Sequence, residues 1–286
     1  MLQTIALATA FLGTTIAAAW DLKTTEVPDQ VPYAMIVIAL ILFGYQSISE
    51  WSYQPILFSV IAGLAFLAFG FIMYYFGQWG GADALLLGSI GFLLPKLTIV
   101  KTLFPFSVSY LFNLFIVGAG YMLVYAFVFA LMNRQIFSKF FQDLKASSNM
   151  LLLGFLGLFV LFFGSSWYTY RIIYNTFNIS SIISFSLFPF SLVIFIFLIW
   201  KFAKAVEDHG FKKIIPVSKL KVGDMLLKEK KLIGITKEQL TKIKKSGKRF
   251  VEIKEGVRFA VAFPLALLFT LLYGDIIFLL IKVIGL

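Results

Sequence analysis

Cysteine is absent from this chain. That single fact excludes structural disulfides, thiolate zinc sites and a cysteine nucleophile. Histidine occurs once, as His209, so no histidine cluster can hold a metal; behind Glu207 and Asp208 it reads as a solvated loop residue. Charge is also scarce. Asp, Glu, Lys and Arg make up 14% of 286 residues, where soluble domains carry roughly 25%. Hydrophobic residues fill 60% instead, without the alternation of a membrane β-barrel.

The apolar residues gather in eight stretches long enough to consider as helical spans, roughly 2–20, 32–48, 55–77, 83–100, 108–133, 149–168, 182–203 and 259–281. The expected fold is an all-α polytopic membrane protein of about eight transmembrane helices, with a small cytoplasmic α+β subdomain before the last. The expected division is a helical bundle over 1–203, a basic subdomain over 204–258 and a last span over 259–286. The first stretch has no basic residue ahead of its apolar run, so it is expected to stay as a permanent helix, not a cleaved signal.

The net charge of +11 does not point to nucleic acid, because the basic residues follow the positive-inside rule. With the amino terminus outside, the connections 21–31, 78–82, 134–148 and 204–258 and their flanks hold every Lys and Arg except Lys96, Lys101, Arg171 and Lys282. Anionic membrane lipid is the expected partner of the lysine-rich segment 204–258. Within it, Ile214–Val217, Met225–Leu227 and Phe250–Ile253 read as short strands, Thr236–Gln239 as a capping box opening a helix, and Gly247 as its stop. All five tryptophans fall at expected span boundaries, the headgroup position of amphipathic rings.

Two inner connections carry carboxylates that the membrane makes expensive. Asp21 follows the Ala-, Gly- and Thr-rich first stretch and opens a polar loop in which Pro28 and Pro32 discourage continuous helix. Asp83 ends the glycine-rich run Gly80-Gly81-Ala82-Asp83, where missing side chains let another chain lie close. A carboxylate at the bilayer edge reads by default as functional, and the bland alternative for Asp83 is a helix cap. Asp29 reads first as a turn or cap residue. Asp275 is expected on the opposite face, in a cap or interface role.

The stretch Asp21-Leu22-Lys23-Thr24-Thr25-Glu26-Val27-Pro28-Asp29 together with Gly80-Gly81-Ala82-Asp83 resembles the type IV prepilin peptidase and archaeal preflagellin (prearchaellin) peptidase family. Asp21, Lys23, Val27 and Pro28 match the family's first aspartate setting. Asp83 matches the aspartate of its Gly-x-Gly-Asp motif, with Ala82 where the family has the second glycine. Lys254-Glu255-Gly256-Val257-Arg258-Phe259 is similar to the carboxyl-terminal part of archaeal members.

The resemblance implies a membrane aspartic endopeptidase that removes short basic leader peptides from pilin-like or archaellin precursors at the cytoplasmic face. It implies Asp21 and Asp83 as the catalytic pair, Gly80, Gly81, Ala82, Lys23 and Pro28 as loop support, and Glu26 and Asp29 as contacts for the leader's basic residues. No metal and no cofactor are expected. Two other readings stand beside it: an ion-coupled transporter using the same carboxylates as a relay, and a noncatalytic scaffold of a pilus or secretion system.

Overall fold

The computed structural model describes residues 1–98, 100, 102–227, 234–247, 249–254, 256–277 and 279. Lys101, Glu255, Lys282 and the end of the last apolar stretch lie outside them. The helices are α1 (Leu2–Thr24), α2 (Gln30–Ser49), α3 (Gln54–Tyr75), α4 (Gly81–Leu93), α5 (Phe106–Met132), α6 (Arg134–Ala146), α7 (Ser148–Tyr174), α8 (Ile179–Gly210), α9 (Lys237–Lys245) and α10 (Ala262–Tyr273). The strands are β1 (Lys212–Pro216), β2 (Met225–Leu226) and β3 (Phe250–Lys254). This is a polytopic helical membrane protein with a small sheet.

Among the described residues, six of the eight apolar stretches become helices long and apolar enough to cross a membrane: α1, α2, α3, α5, α7 and α8. The other two become the shorter α4 and α10. The 13 residues of α4 make about 20 Å of helix at a rise of about 1.5 Å per residue, less than the roughly 30 Å of hydrocarbon. Leu94, beyond its last turn, leaves helical geometry at ψ 51°.

The chain forms two compact units, one of residues 1–124 with 213–286 and one of residues 125–212. The first holds the main core. There α4 is buried along most of its length, from Ala84 through Leu93 apart from Leu85. Small residues make this possible. A Cβ on Gly70 of α3 would stand 2.7 Å from Ala84 Cα, and one on Gly91 of α4 would stand 2.6 Å from the Ala62 carbonyl oxygen. Gly63 lies against Phe92, and Gly88 against Leu67, in the same seam. Membrane helices have little hydrophobic drive toward one another, so close backbone approach supplies the packing energy. Ser59 adds a buried hydroxyl donated to the Phe92 carbonyl at 2.6 Å.

The sheet of the first unit has strand order β1-β3-β2, with β2 antiparallel to β3 and Leu226 opposite Ile253. The strands and α9 occupy the positions expected from sequence. Thr236 Oγ1 accepts from the Gln239 N–H at 3.3 Å, and Gln239 Oε1 accepts from the Thr236 N–H at 2.8 Å, a complete capping box. Gly247 takes φ +72° just past the end of α9, as a helix stop does.

In the second unit, the connection 134–148 is mostly the helix α6. Its apolar residues Ile136, Phe137, Phe140, Phe141 and Leu144 recur every three to four positions. The stripe is too short for a span and its opposite face is charged, which is why a search for long apolar runs passes over it. Ile136 is buried, Phe137 and Phe140 each pack on Phe202 of α8 at 5.6 Å, and Arg134, Lys139 and Lys145 are exposed.

Candidate active site

The buried residues of α1 are Ala6, Ala10, Gly13, Thr14, Ala17, Ala18 and Asp21. Steps of three and four place them on one helix face, so Asp21 points inward by the phase of the stripe that precedes it. It is 5% exposed. The polar loop expected to begin at Asp21 starts one turn later. The helix runs on to Thr24 and ends where Thr25 takes the left-handed conformation, φ 61°, with its N–H donating to the Asp21 carbonyl at 2.8 Å. Pro28 and Pro32 do not interrupt α1, because both lie beyond its end, and Pro32 falls in the first turn of α2, where proline is tolerated.

Asp83 is the third helical residue of α4, with Gly80 as N-cap in an extended conformation at φ −75° and ψ 157°. The Gly80 N–H donates to Asp83 Oδ2 at 3.0 Å. This is half of a capping box, since glycine has no side chain to return the bond. Of the glycines before Asp83, Gly77 alone takes positive φ, at 70°, and turns the chain after α3. Gly80 serves a different need, because a Cβ there would stand 3.2 Å from Asp83 Oδ2. Gly81 and Ala82 form the first turn of α4. All four residues from Gly80 to Asp83 are half-buried.

The fold brings Asp21 and Asp83 within electrostatic reach of each other. The second partner of Asp21 comes from far along the chain: the Ala260 N–H donates to Asp21 Oδ2 at 2.9 Å. Arg258 lies close enough to act on the same carboxyl through its charge. Among the described residues, hydrogen bonds reach both carboxyls through Oδ2. Two neighbouring carboxyls that cannot both ionise cheaply can act as an acid and a base.

Glu26, Asp29 and Lys23 are exposed, and Pro28 is half-buried. Asp29 is the N-cap residue of α2 but makes no side-chain cap bond there. Asp275 belongs to a separate cluster, where its carboxyl accepts the Leu103 N–H. The Trp79 ring packs among Phe69, Phe115, Phe259 and Phe263. Arg258, Phe259 and Ala260 were not expected at the site. Arg258 and Phe259 lie in the stretch that resembles the archaeal carboxyl-terminal part, and no spacing rule couples Ala260 to Asp21.

Both carboxyls fall in the part of the chain, residues 8–123, that matches the model of the type IV leader peptidase family. This segment is similar to the type IV leader peptidase family. The matching segment takes in most of α1, all of α2 to α4 and much of α5. The chain is similar to a preflagellin peptidase of Methanococcus voltae, 34% identical over 92 residues, which is 32% of this chain and 39% of that relative. It is similar to a preflagellin peptidase of Methanocaldococcus jannaschii, 33% identical over 85 residues, or 30% of this chain and 36% of the relative. A prepilin peptidase of Methanothermobacter thermautotrophicus is 24% identical over 149 residues, 48% of this chain and 39% of the relative. The matches thus span well under two thirds of each relative's length. No solved structure matches.

Proposed function

We propose that this protein is a membrane endopeptidase that removes leader peptides from pilin-like or archaellin precursors, with Asp21 and Asp83 as its acid/base pair. The observation that carries this reading is that the two carboxyls, from α1 and α4, lie within electrostatic reach of each other inside the segment that matches the leader peptidase family. One carboxyl, ionised, takes a proton from a water as its oxygen attacks the scissile carbonyl. The other, protonated, gives its proton to the departing amine as the C–N bond breaks. Each aspartate is already oriented by a backbone N–H through Oδ2.

Lys23 in the connection 21–31 and Arg134, Lys139 and Lys145 in 134–148 support an arrangement with the amino terminus outside and the pair near the cytoplasmic face. The precursor's apolar helix then lies in lipid with its leader at that face. Exposed Glu26 and Asp29 are contacts for the leader's basic residues.

The test is mass analysis of a leader-bearing precursor incubated with the purified protein in lipid. Cleavage at the leader junction is expected, and Asp21→Asn and Asp83→Asn should each slow it by about 100-fold or more. Near-normal cleavage by either variant would refute the pair, and no cleavage by the parent protein would favour a transporter or scaffold.

A further inference from the structure

The tripeptide Arg258-Phe259-Ala260, ahead of α10, reaches both carboxyls by separate routes. Toward Asp21 the contact is direct, through the Ala260 N–H at 2.9 Å. Toward Asp83 it runs through rings. Phe259 packs on Trp79 with centroids 5.7 Å apart and planes tilted by 36°. Trp79 immediately precedes Gly80, whose N–H holds Asp83.

The tripeptide is itself held from three sides. Tyr121 donates its hydroxyl to the Arg258 carbonyl at 2.9 Å. Phe263 packs edge-on against Phe259 at 5.9 Å. Gly118 of α5 leaves room for the ring, since a Cβ there would stand 3.0 Å from it. Trp79 is gripped in turn by Phe69 at 6.1 Å, Phe115 at 5.9 Å and Phe263 at 6.2 Å.

We propose that residues 258–260 act as a clamp that sets the separation of Asp21 and Asp83, with Phe259 and Trp79 as positioning residues. The proposal rests on the reading of the two aspartates as the working pair. It assigns a role to a segment outside residues 8–123, the part of the chain that matches the family. The physical need is plain. Asp21 stands in the last turn of one helix and Asp83 in the first turn of another, and helix ends are where backbone fraying concentrates. A misplacement of about 1 Å between reacting groups can cost about 100-fold in rate. A third element bonded to one carboxyl and packed against the turn of the other removes that freedom.

The chain has no cysteine, so exposed Leu22 and Gln78 can be changed to cysteine and spin-labelled without background. Pulsed dipolar spectroscopy in lipid then reads the distance between the two helix ends. The clamp predicts that Phe259→Ala broadens or lengthens that distance distribution. In unlabelled protein it should lower kcat for precursor cleavage about 10- to 100-fold, with KM changed less than about threefold. Phe259→Leu, which keeps apolar bulk, should recover part of both. Gly118→Ala, which presses on the ring without removing it, should shift both slightly in the same direction.

An unchanged distance distribution in folded Phe259→Ala overturns the clamp, whatever the cleavage rate does. If Phe259→Ala does not fold, Phe259→Leu and Gly118→Ala decide: distances and kcat equal to the parent's in both overturn it. Failure of the underlying reading looks different, since Asp21→Asn would then cleave at the parent rate.

Discussion

The backbone N–H of Ala260 donates to the carboxyl of Asp21 across 2.9 Å, although the two residues are 239 apart in sequence. Ala260 is fully buried, so water is a poor substitute for this donor. Ala260→Gly keeps the N–H and should keep most of the cleavage activity. Ala260→Pro removes it, and a hydrogen bond to a carboxylate contributes about 1.5–3 kcal/mol. Cleavage by Ala260→Pro should fall about tenfold or more, assayed at equal amounts of folded protein. Equal activity of the two variants would show that the bond does not matter to the site.

Gly80 and Ala82 should respond in opposite ways. A Cβ on Gly80 would crowd Asp83 Oδ2 at 3.2 Å, so Gly80→Ala should lower cleavage at least several-fold while moving the melting temperature little. Ala82 is a first-turn residue of α4, where alanine suits the helix. Ala82→Gly, which restores the Gly-x-Gly-Asp spelling, should cost at most about 1 kcal/mol of stability and leave cleavage nearly intact. A large activity change in Ala82→Gly would mean that residue 82 does more than continue the helix.

The glycines of the apolar helices should separate by what surrounds them. At Gly91 a new Cβ would meet the rigid backbone carbonyl of Ala62 at 2.6 Å, whereas at Gly88 it would meet the movable end of Leu67. At Gly154 of α7 it would meet nothing within 4 Å. Thermal unfolding in detergent should therefore rank Gly91→Ala as most damaging, by about 1–3 kcal/mol, with Gly88→Ala milder. Gly154→Ala should be neutral or stabilising by up to about 1 kcal/mol, from helix propensity.

Asn113 is the hub of a polar cluster that has no part in the proposed chemistry. Its amide donates to Thr270 Oγ1 at 2.9 Å and to the Gly274 carbonyl at 2.7 Å, and its Oδ1 accepts the Ile276 N–H at 3.0 Å. Asn113→Ala leaves those buried groups short of partners and should cost about 1–3 kcal/mol in thermal unfolding. Asp275→Asn keeps an acceptor for the Leu103 N–H and should unfold near the parent's temperature, while Asp275→Ala should unfold earlier. All three should cleave precursor at low temperature at close to the parent rate. A dead but folded Asp275→Asn would place that carboxyl in the chemistry.

Much of the fold was legible because its signals are local. Long apolar runs became α1, α2, α3, α5, α7 and α8, and the Thr236 capping box and the Gly247 stop bounded α9. The misreadings had local causes too. The amphipathic α6 escaped a search tuned to spans, because half of its face is charged. The end of α1 was placed a turn early, because polarity begins at Asp21 while helical hydrogen bonding continues to Thr24.

Composition and hydropathy alone determined that this chain is a helical membrane protein, because the cost of unpaired backbone in lipid leaves few other solutions for such apolar runs. The same reading singled out Asp21 and Asp83, since carboxylates beside apolar spans are costly enough to stand out. Only the tertiary structure decided that the Ala260 N–H reaches Asp21 and that Phe259 packs on Trp79 beside the turn that holds Asp83. The reason is physical. Helix phase and hydropathy are written in neighbouring residues, whereas a backbone N–H donated across the bundle and a ring seated beside a glycine depend on how whole helices pack, and neighbouring residues do not encode that packing.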